Sequence, residues 1–161
     1  MKNSRKQVFK NSNTDYYEKV ITNKLAKFDH SSKLYLYSGL KTTFKLEEYL
    51  KQLKKINSRQ LITKFRISDH NLEVEVGRYK KIPRDQRICK ICNVLDDEEH
   101  FFFHCRINNN IRQTFFENIN NHVTDFNQLD SPSKLKKILD PDISILSSVV
   151  DYIKRSIELR K

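Results

Sequence analysis

Three cysteines, Cys89, Cys92 and Cys105, are the only ones in the 161-residue chain, and His100 lies among them. Together they read C-x2-C-x7-H-x4-C. A C-x2-C pair lets two thiolates of one tight turn reach the same ion. Four soft or borderline ligands with no open position make up a structural tetrahedral zinc site, not a catalytic one. An odd, tightly clustered set does not read as a disulfide framework. The fourth ligand has two candidates. His104 forms an H-x3-H pair with His100, whereas Cys105 would add a third, stronger-binding thiolate and leave no free thiol beside the metal; the second arrangement is favoured.

Such a site has a clear use here. Hydrophobic residues make up 37 % of the chain, below the roughly 45–50 % usual in globular domains. A structural zinc ion, binding with of order 10 kcal/mol or more, converts that affinity into folding energy where burial falls short. Charge is high and uneven. The chain carries 31 Lys+Arg against 20 Asp+Glu, a net charge of +11. Residues 1–93 hold 22 of the basic and 9 of the acidic residues, a surplus of 13, and the remainder is slightly acidic. A basic front half suits a polyanion, most often nucleic acid. No apolar run reaches the roughly 20 residues of a membrane helix, and the basic opening residues have no apolar stretch behind them. An intracellular protein, cytoplasmic or nuclear, with no membrane and no small-molecule substrate, is expected. Two glycines leave little room for phosphate-cradling loops or hairpin-rich β folds.

The elements that must position the four ligands are helical. Residues 1–13 are polar and aperiodic and read as a disordered basic arm. N-terminal helices should occupy 14–67. Tyr17, Ile21, Leu25 and Phe28 share one face; Leu46, Tyr49, Leu50, Leu53 and Ile56 share another between Phe44 and Ile56; a third helix from Arg59 to Ile67 should bury Leu61, Ile62 and Phe65. Residues 68–106 hold a basic loop and the zinc finger, with "LEVEV" alternating as a short extended piece would. Residues 107–161 should form C-terminal helices that pack back on the rest. Ile111, Phe115 and Ile119 mark one; Ser131–Pro132 and Asp140–Pro141 start two more. The last presents Ile143, Leu146, Val149, Val150, Ile153 and Ile157. The fold class is mostly α, with a central Cys3His knuckle and little strand.

Before the first ligand, "RYKKIPRDQRICK" sets Arg78, Lys80, Lys81, Arg84, Arg87 and Lys90 against one acid, Asp85. Pro83 keeps the segment extended or turned. Its cations suit a phosphate backbone and Tyr79 suits stacking on an unpaired base; Lys64 and Arg66 extend the same surface. His70 reads as a turn-bonding residue, and Phe101, Phe102, Phe103, Phe115 and Phe116 as packing over the zinc site. Asp96, Asp97, Glu98 and Glu99 read as helix-start carboxylates. Pro141–Asp142 lacks the E-x-K partner of a restriction-like nuclease.

The run "LITKFRISDHNLEVEVGRYKKIPRDQRICKICNVLDDEEHFFFHC", residues 61–105, resembles the zinc-binding finger downstream of the polymerase domain in non-LTR (LINE-type) retrotransposon reverse transcriptases. The resembling elements are Leu61 to Arg66, His70 to Tyr79, Ile82 to Cys92 and Asp97 to Cys105. Val76 departs from them, standing where the family more often has Glu. Similar flanks appear as "SKLYLYSGLKTTFKLEEYL" and "KKILDPDISILSSVVDYIKRSIELR". The resemblance implies Cys89, Cys92, His100 and Cys105 as zinc ligands. It also implies binding of template RNA or target DNA beside a reverse transcriptase core. The polymerase's own catalytic carboxylates are missing, so no enzymatic activity is expected. The alternative is a zinc-stabilised protein-interaction module without nucleic-acid binding.

Overall fold

The computed structural model describes residues 15–20, 23–25, 27–29, 32–41, 43 and 45–161. The expected N-terminal arm lies outside them, as do Ile21 and Phe44. The chain divides into two compact units, 1–46 and 47–161. In the first, residues 15–20 and 23–25 are helical and α1 spans Tyr35–Leu40, with Leu25 and Leu40 buried.

The second unit holds six α-helices: α2 Glu48–Gln52, α3 Ile56–Arg66, α4 Glu73–Tyr79, α5 Asn109–Asn120, α6 Ser131–Leu139 and α7 Ile143–Leu159. Between α4 and α5 lies the cysteine segment. Its one β feature among the described residues is an antiparallel bridge between Ile88 and Leu95. No described helix is long and apolar enough to cross a membrane. The mostly α expectation, with a Cys3His cluster at its centre, matches this architecture.

Several boundaries differ from the periodic reading. The helix expected from Phe44 to Ile56 is only the five residues of α2, and of its anticipated face only Tyr49 is buried while Leu46 and Ile56 are exposed. The Arg59 guanidinium takes the Leu53 carbonyl, which a continuous helix would have offered to the Asn57 N–H. The chain therefore extends at Leu53 and restarts as α3. "LEVEV" is not extended but forms α4. Its start is capped from far along the chain: the Asp96 carboxylate accepts from Glu73 N–H at 3.0 Å, and the Asp96 carbonyl accepts from Val74 N–H at 3.1 Å. Those are two of the donors a helix start leaves unpaired, and no local residue announces the cap.

The C-terminal helices begin close to their expected starts, although the residue before α6 is Asp130 and the residue before α7 is Asp142, beyond Pro141. Asp130 caps α6 through the Ser133 N–H at 3.0 Å, with Pro132 in the first turn. Helix α5 buries Ile111, Phe115 and Ile119. Helix α7 buries Ile145, Leu146, Val149, Val150, Tyr152, Ile153 and Ser156, a broader face than expected, while Ile143 stays outside. An aromatic cluster joins the elements. Phe65 of α3 lies 4.8 Å from Phe101, Phe101 lies 5.1 Å from Phe102, and Tyr152 of α7 stacks on Phe115 of α5 at 4.4 Å between ring centroids.

Arg66 has no place on the surface that was expected of it. It is 1 % exposed. Its Nη1 donates to the Leu139 carbonyl at 2.6 Å and to Asp140 at 3.0 Å, and its Nη2 donates to Glu47 at 2.8 Å. The guanidinium also lies 5.3 Å from the centre of the Tyr49 ring. Gly77 holds a second close approach, since a Cβ there would sit 2.5 Å from Cγ of Arg87.

Two substitutions measure these contacts by urea denaturation. Arg66→Ala leaves a cavity and takes the cation away from Glu47 and Asp140, and should lower the unfolding free energy by about 3 kcal/mol. Gly77→Ala must displace the root of Arg87, and should cost about 1–3 kcal/mol.

Candidate metal centre

The first two ligand positions sit on a tight hairpin. Its rungs are Cys89 N–H to the Val94 carbonyl at 2.7 Å and Asp96 N–H to the Arg87 carbonyl at 2.9 Å. The turn closes through Asn93 at φ 59°, a left-handed conformation that asparagine tolerates better than most residues. This geometry turns Cys89 and Cys92 toward the same point.

The second pair comes from a widened helical turn, His100–His104. Asp97 starts it, its carboxylate accepting from His100 N–H at 2.9 Å. The turn closes five residues on, where Cys105 N–H donates to the His100 carbonyl at 2.8 Å. In an ordinary α-helix, residues five apart point about 140° away from each other. The wider i to i+5 turn reduces that angle and brings His100 and Cys105 together. Widening frees carbonyls from the helical ladder, and side chains take them up. The Tyr152 hydroxyl donates to Phe101 and Phe102 at 3.0 and 3.3 Å, Asn108 donates to Phe101 at 3.1 Å, and Arg112 donates to Phe103 at 2.6 Å and to Cys105.

The ligand atoms of Cys89, Cys92, His100 and Cys105 all lie within 4.8 Å of one another. Cys105 Sγ is 4.0 Å from both Cys89 Sγ and Cys92 Sγ. A disulfide needs about 2 Å between sulfurs, whereas two thiolates on a tetrahedral zinc ion stand about 3.8 Å apart. His100 Nε2 is buried without a hydrogen-bond partner, as suits a nitrogen that could ligate a metal. The four residues thus fit a metal ion. His104 does not join them: its ring is 61 % exposed and lies 3.9 Å from Glu99. Cys105, fully buried, completes the group.

Surroundings tune Cys89, Cys92 and His100. Burial pushes the Cys89 thiol above its ordinary pKa. Burial acts upward on Cys92 too, but hydrogen bonds from Arg106, including its N–H at 3.3 Å, together with those from Cys105 and Cys89, outweigh it and the thiol is lowered. Burial lowers the His100 imidazole, favouring the neutral form that binds metals. A bound zinc ion would add a four-way crosslink here and, with four protein ligands, have no open position for water.

The basic segment divides. Tyr79, Lys80, Lys81, Arg84 and Lys90 are exposed, and so is Lys64 on α3. Arg84 lies 3.7 Å from Asp97 and Lys90 lies 3.8 Å from Glu73. Arg78 pairs with the buried Glu75 at 3.0 Å. Arg87, expected to face a ligand, instead turns inward and donates to the Ile82 and Val74 carbonyls, each at 2.9 Å. Like Arg66, it is committed to structure.

Sequence reasoning missed three supports. Asp96 is 3 % exposed and caps α4. Glu98, read as helix-start decoration, accepts from Ser68 Oγ at 2.7 Å and meets His70 Nε2 at 3.0 Å. His70 Nδ1 in turn accepts the Leu72 N–H at 3.4 Å, in keeping with the turn-bonding role expected of it. Arg160 is the third. All three pair across distances that no local pattern encodes.

Comparison with known protein families, curated proteins and solved structures finds no match to this chain.

Cys105→Ser should weaken zinc binding by at least about 100-fold in competition with a chromophoric chelator, whereas His104→Ala should leave it within about twofold. The reverse order would exchange the two residues' roles.

Proposed function

We propose that this chain is a non-catalytic, zinc-stapled nucleic-acid-binding domain related to the finger that follows the polymerase in LINE-type reverse transcriptases. Its partner would be RNA or DNA beside a reverse transcriptase core. The observation that carries this reading is the exposed run Tyr79, Lys80, Lys81 and Arg84, tethered between two fixed points. Upstream, Gly77 packs against Arg87; downstream, Cys89 enters the metal cluster. The resemblance of residues 61–105 supports the same reading.

Binding would rest on charge and stacking. Lys64, Lys80, Lys81, Arg84 and Lys90 supply cations for phosphates. Tyr79, 71 % exposed, offers an aromatic face to an unpaired base. Arg66 and Arg87 take no part, because each turns inward and donates to carbonyls of the chain itself. The zinc ligands act only by holding the hairpin, and the segment before it, in one shape.

One observation favours a second reading. Ile88, Ile91 and Val94 are all exposed on the hairpin, and apolar residues on a small zinc module can also meet another protein.

Fluorescence anisotropy of the zinc-loaded protein on labelled single-stranded RNA and duplex DNA, titrated across salt, separates the two. Five phosphate contacts should give a log–log slope of about −4.5 on duplex or about −3.5 on single strands. The triple variant Lys80→Ala, Lys81→Ala, Arg84→Ala should flatten the duplex slope by about 2–3. Weak binding to both probes at low salt would overturn nucleic-acid binding in favour of the protein-interaction module.

A further inference from the structure

Arg160 directly follows α7 and lies against the metal cluster. Its side chain is 14 % exposed. It grips Asp96 with both terminal nitrogens, Nη2 to Oδ1 at 2.8 Å and Nη1 to Oδ2 at 3.2 Å. Nη2 also reaches Cys105 Sγ at 3.2 Å and Cys89 Sγ at 3.8 Å. The guanidinium lies 5.1 Å from the centre of the Phe101 ring, in the range of a cation–π contact.

A simple clip between α7 and the hairpin would need only the Asp96 pair. Here the guanidinium is placed so that one nitrogen faces two of the three sulfurs, and both of those cysteines are buried. Three thiolates and a neutral imidazole around a divalent ion carry one net negative charge. Such a charge out of water calls for a donor close by. Cys92, the half-buried thiol, already receives the Arg106 N–H at 3.3 Å; Cys89 and Cys105 receive Arg160. Asp96 holds the guanidinium in plane and fixes its direction, as a carboxylate does for a bidentate arginine.

We propose that Arg160 is a positioning residue of the metal centre, aimed by Asp96 at the Cys89 and Cys105 sulfurs, where it stabilises the thiolates and couples ion binding to docking of the end of α7. The inference rests on the zinc reading of the cluster and is independent of nucleic-acid binding. Because coupling is reciprocal, metal loading holds the last turn of α7, and loss of that turn loosens the metal.

Zinc affinity of the whole chain, measured by competition with a chromophoric chelator, and the thiolate-to-cobalt absorption band of the cobalt-loaded protein test this. Arg160→Gln should weaken zinc binding by about 10–100-fold and shift the cobalt band, since the sulfurs lose a charged donor. Arg160→Lys should recover part of both effects. Arg155→Gln, on the exposed side of the same helix and paired with Asp151, should change neither. An Arg160→Gln protein with zinc affinity within twofold of wild type and an unmoved band would overturn the proposal, as would an equal loss in Arg155→Gln. Should Arg160→Gln fail to fold, Arg160→Lys decides: a band identical to wild type with unchanged affinity overturns it. Wild-type protein that binds no zinc would instead remove the metal reading, and this inference with it.

Discussion

A single backbone hydrogen bond, from Cys105 N–H to the carbonyl of His100 five residues earlier, constrains the rest of the second unit. It brings a histidine and a cysteine onto one side of a turn, where a regular helix would separate them. The cost is borne by carbonyls released from the ladder. Their replacement donors come from Asn108, Arg112 and Tyr152, so α5 and α7 must be packed in place before the turn is satisfied. Buried carbonyls left without donors are costly. The helical bundle and the cysteine cluster therefore require each other, and neither is an appendage of the other.

Buried and half-buried arginines carry much of this joining. Arg66, Arg87, Arg112 and Arg160 each place donors on groups far from their own helical turn. The guanidinium suits the task because its planar fork satisfies several acceptors at once. This alters how the positive charge should be understood. A surplus of Lys and Arg in the first 93 residues suggests a surface, yet part of that surplus is interior scaffolding. What stays outside around the hairpin is mainly lysine, with Arg84 and the aromatic Tyr79.

The ligand set was legible because ligand chemistry is written in residue type and short spacing. Cys89, Cys92, His100 and Cys105 needed no knowledge of the fold, only a decision between Cys105 and its neighbour His104. The C-terminal helices were legible too, since Pro132, Pro141 and the apolar period of 143–157 are local signals. What escaped was set by distant partners. "LEVEV" alternates like a strand, but Asp96, 23 residues from Glu73, supplies a cap and tips it to helix. The helix over 44–56 fails at Leu53 because Arg59 claims a carbonyl. Arg66 and Arg87 resemble other surface cations until Leu139, Asp140 and Val74 are known to lie beside them.

The reach of the Arg66 contacts has a consequence for the order in which the chain assembles. Cys89 and Cys105 are 16 residues apart, while Arg66 and Asp140 are 74 apart. Closing the longer loop costs about 1 kcal/mol more chain entropy than closing the shorter, and long-range contacts slow folding. The cysteine hairpin and its widened turn can gather early from neighbouring residues. The seat of Arg66 can be completed only after α6 has been made and has returned to α3. A ribosome releasing this chain would expose the Arg66 side chain before its acceptors at Leu139 and Asp140 exist, leaving α3 to wait for the closing third of the second unit.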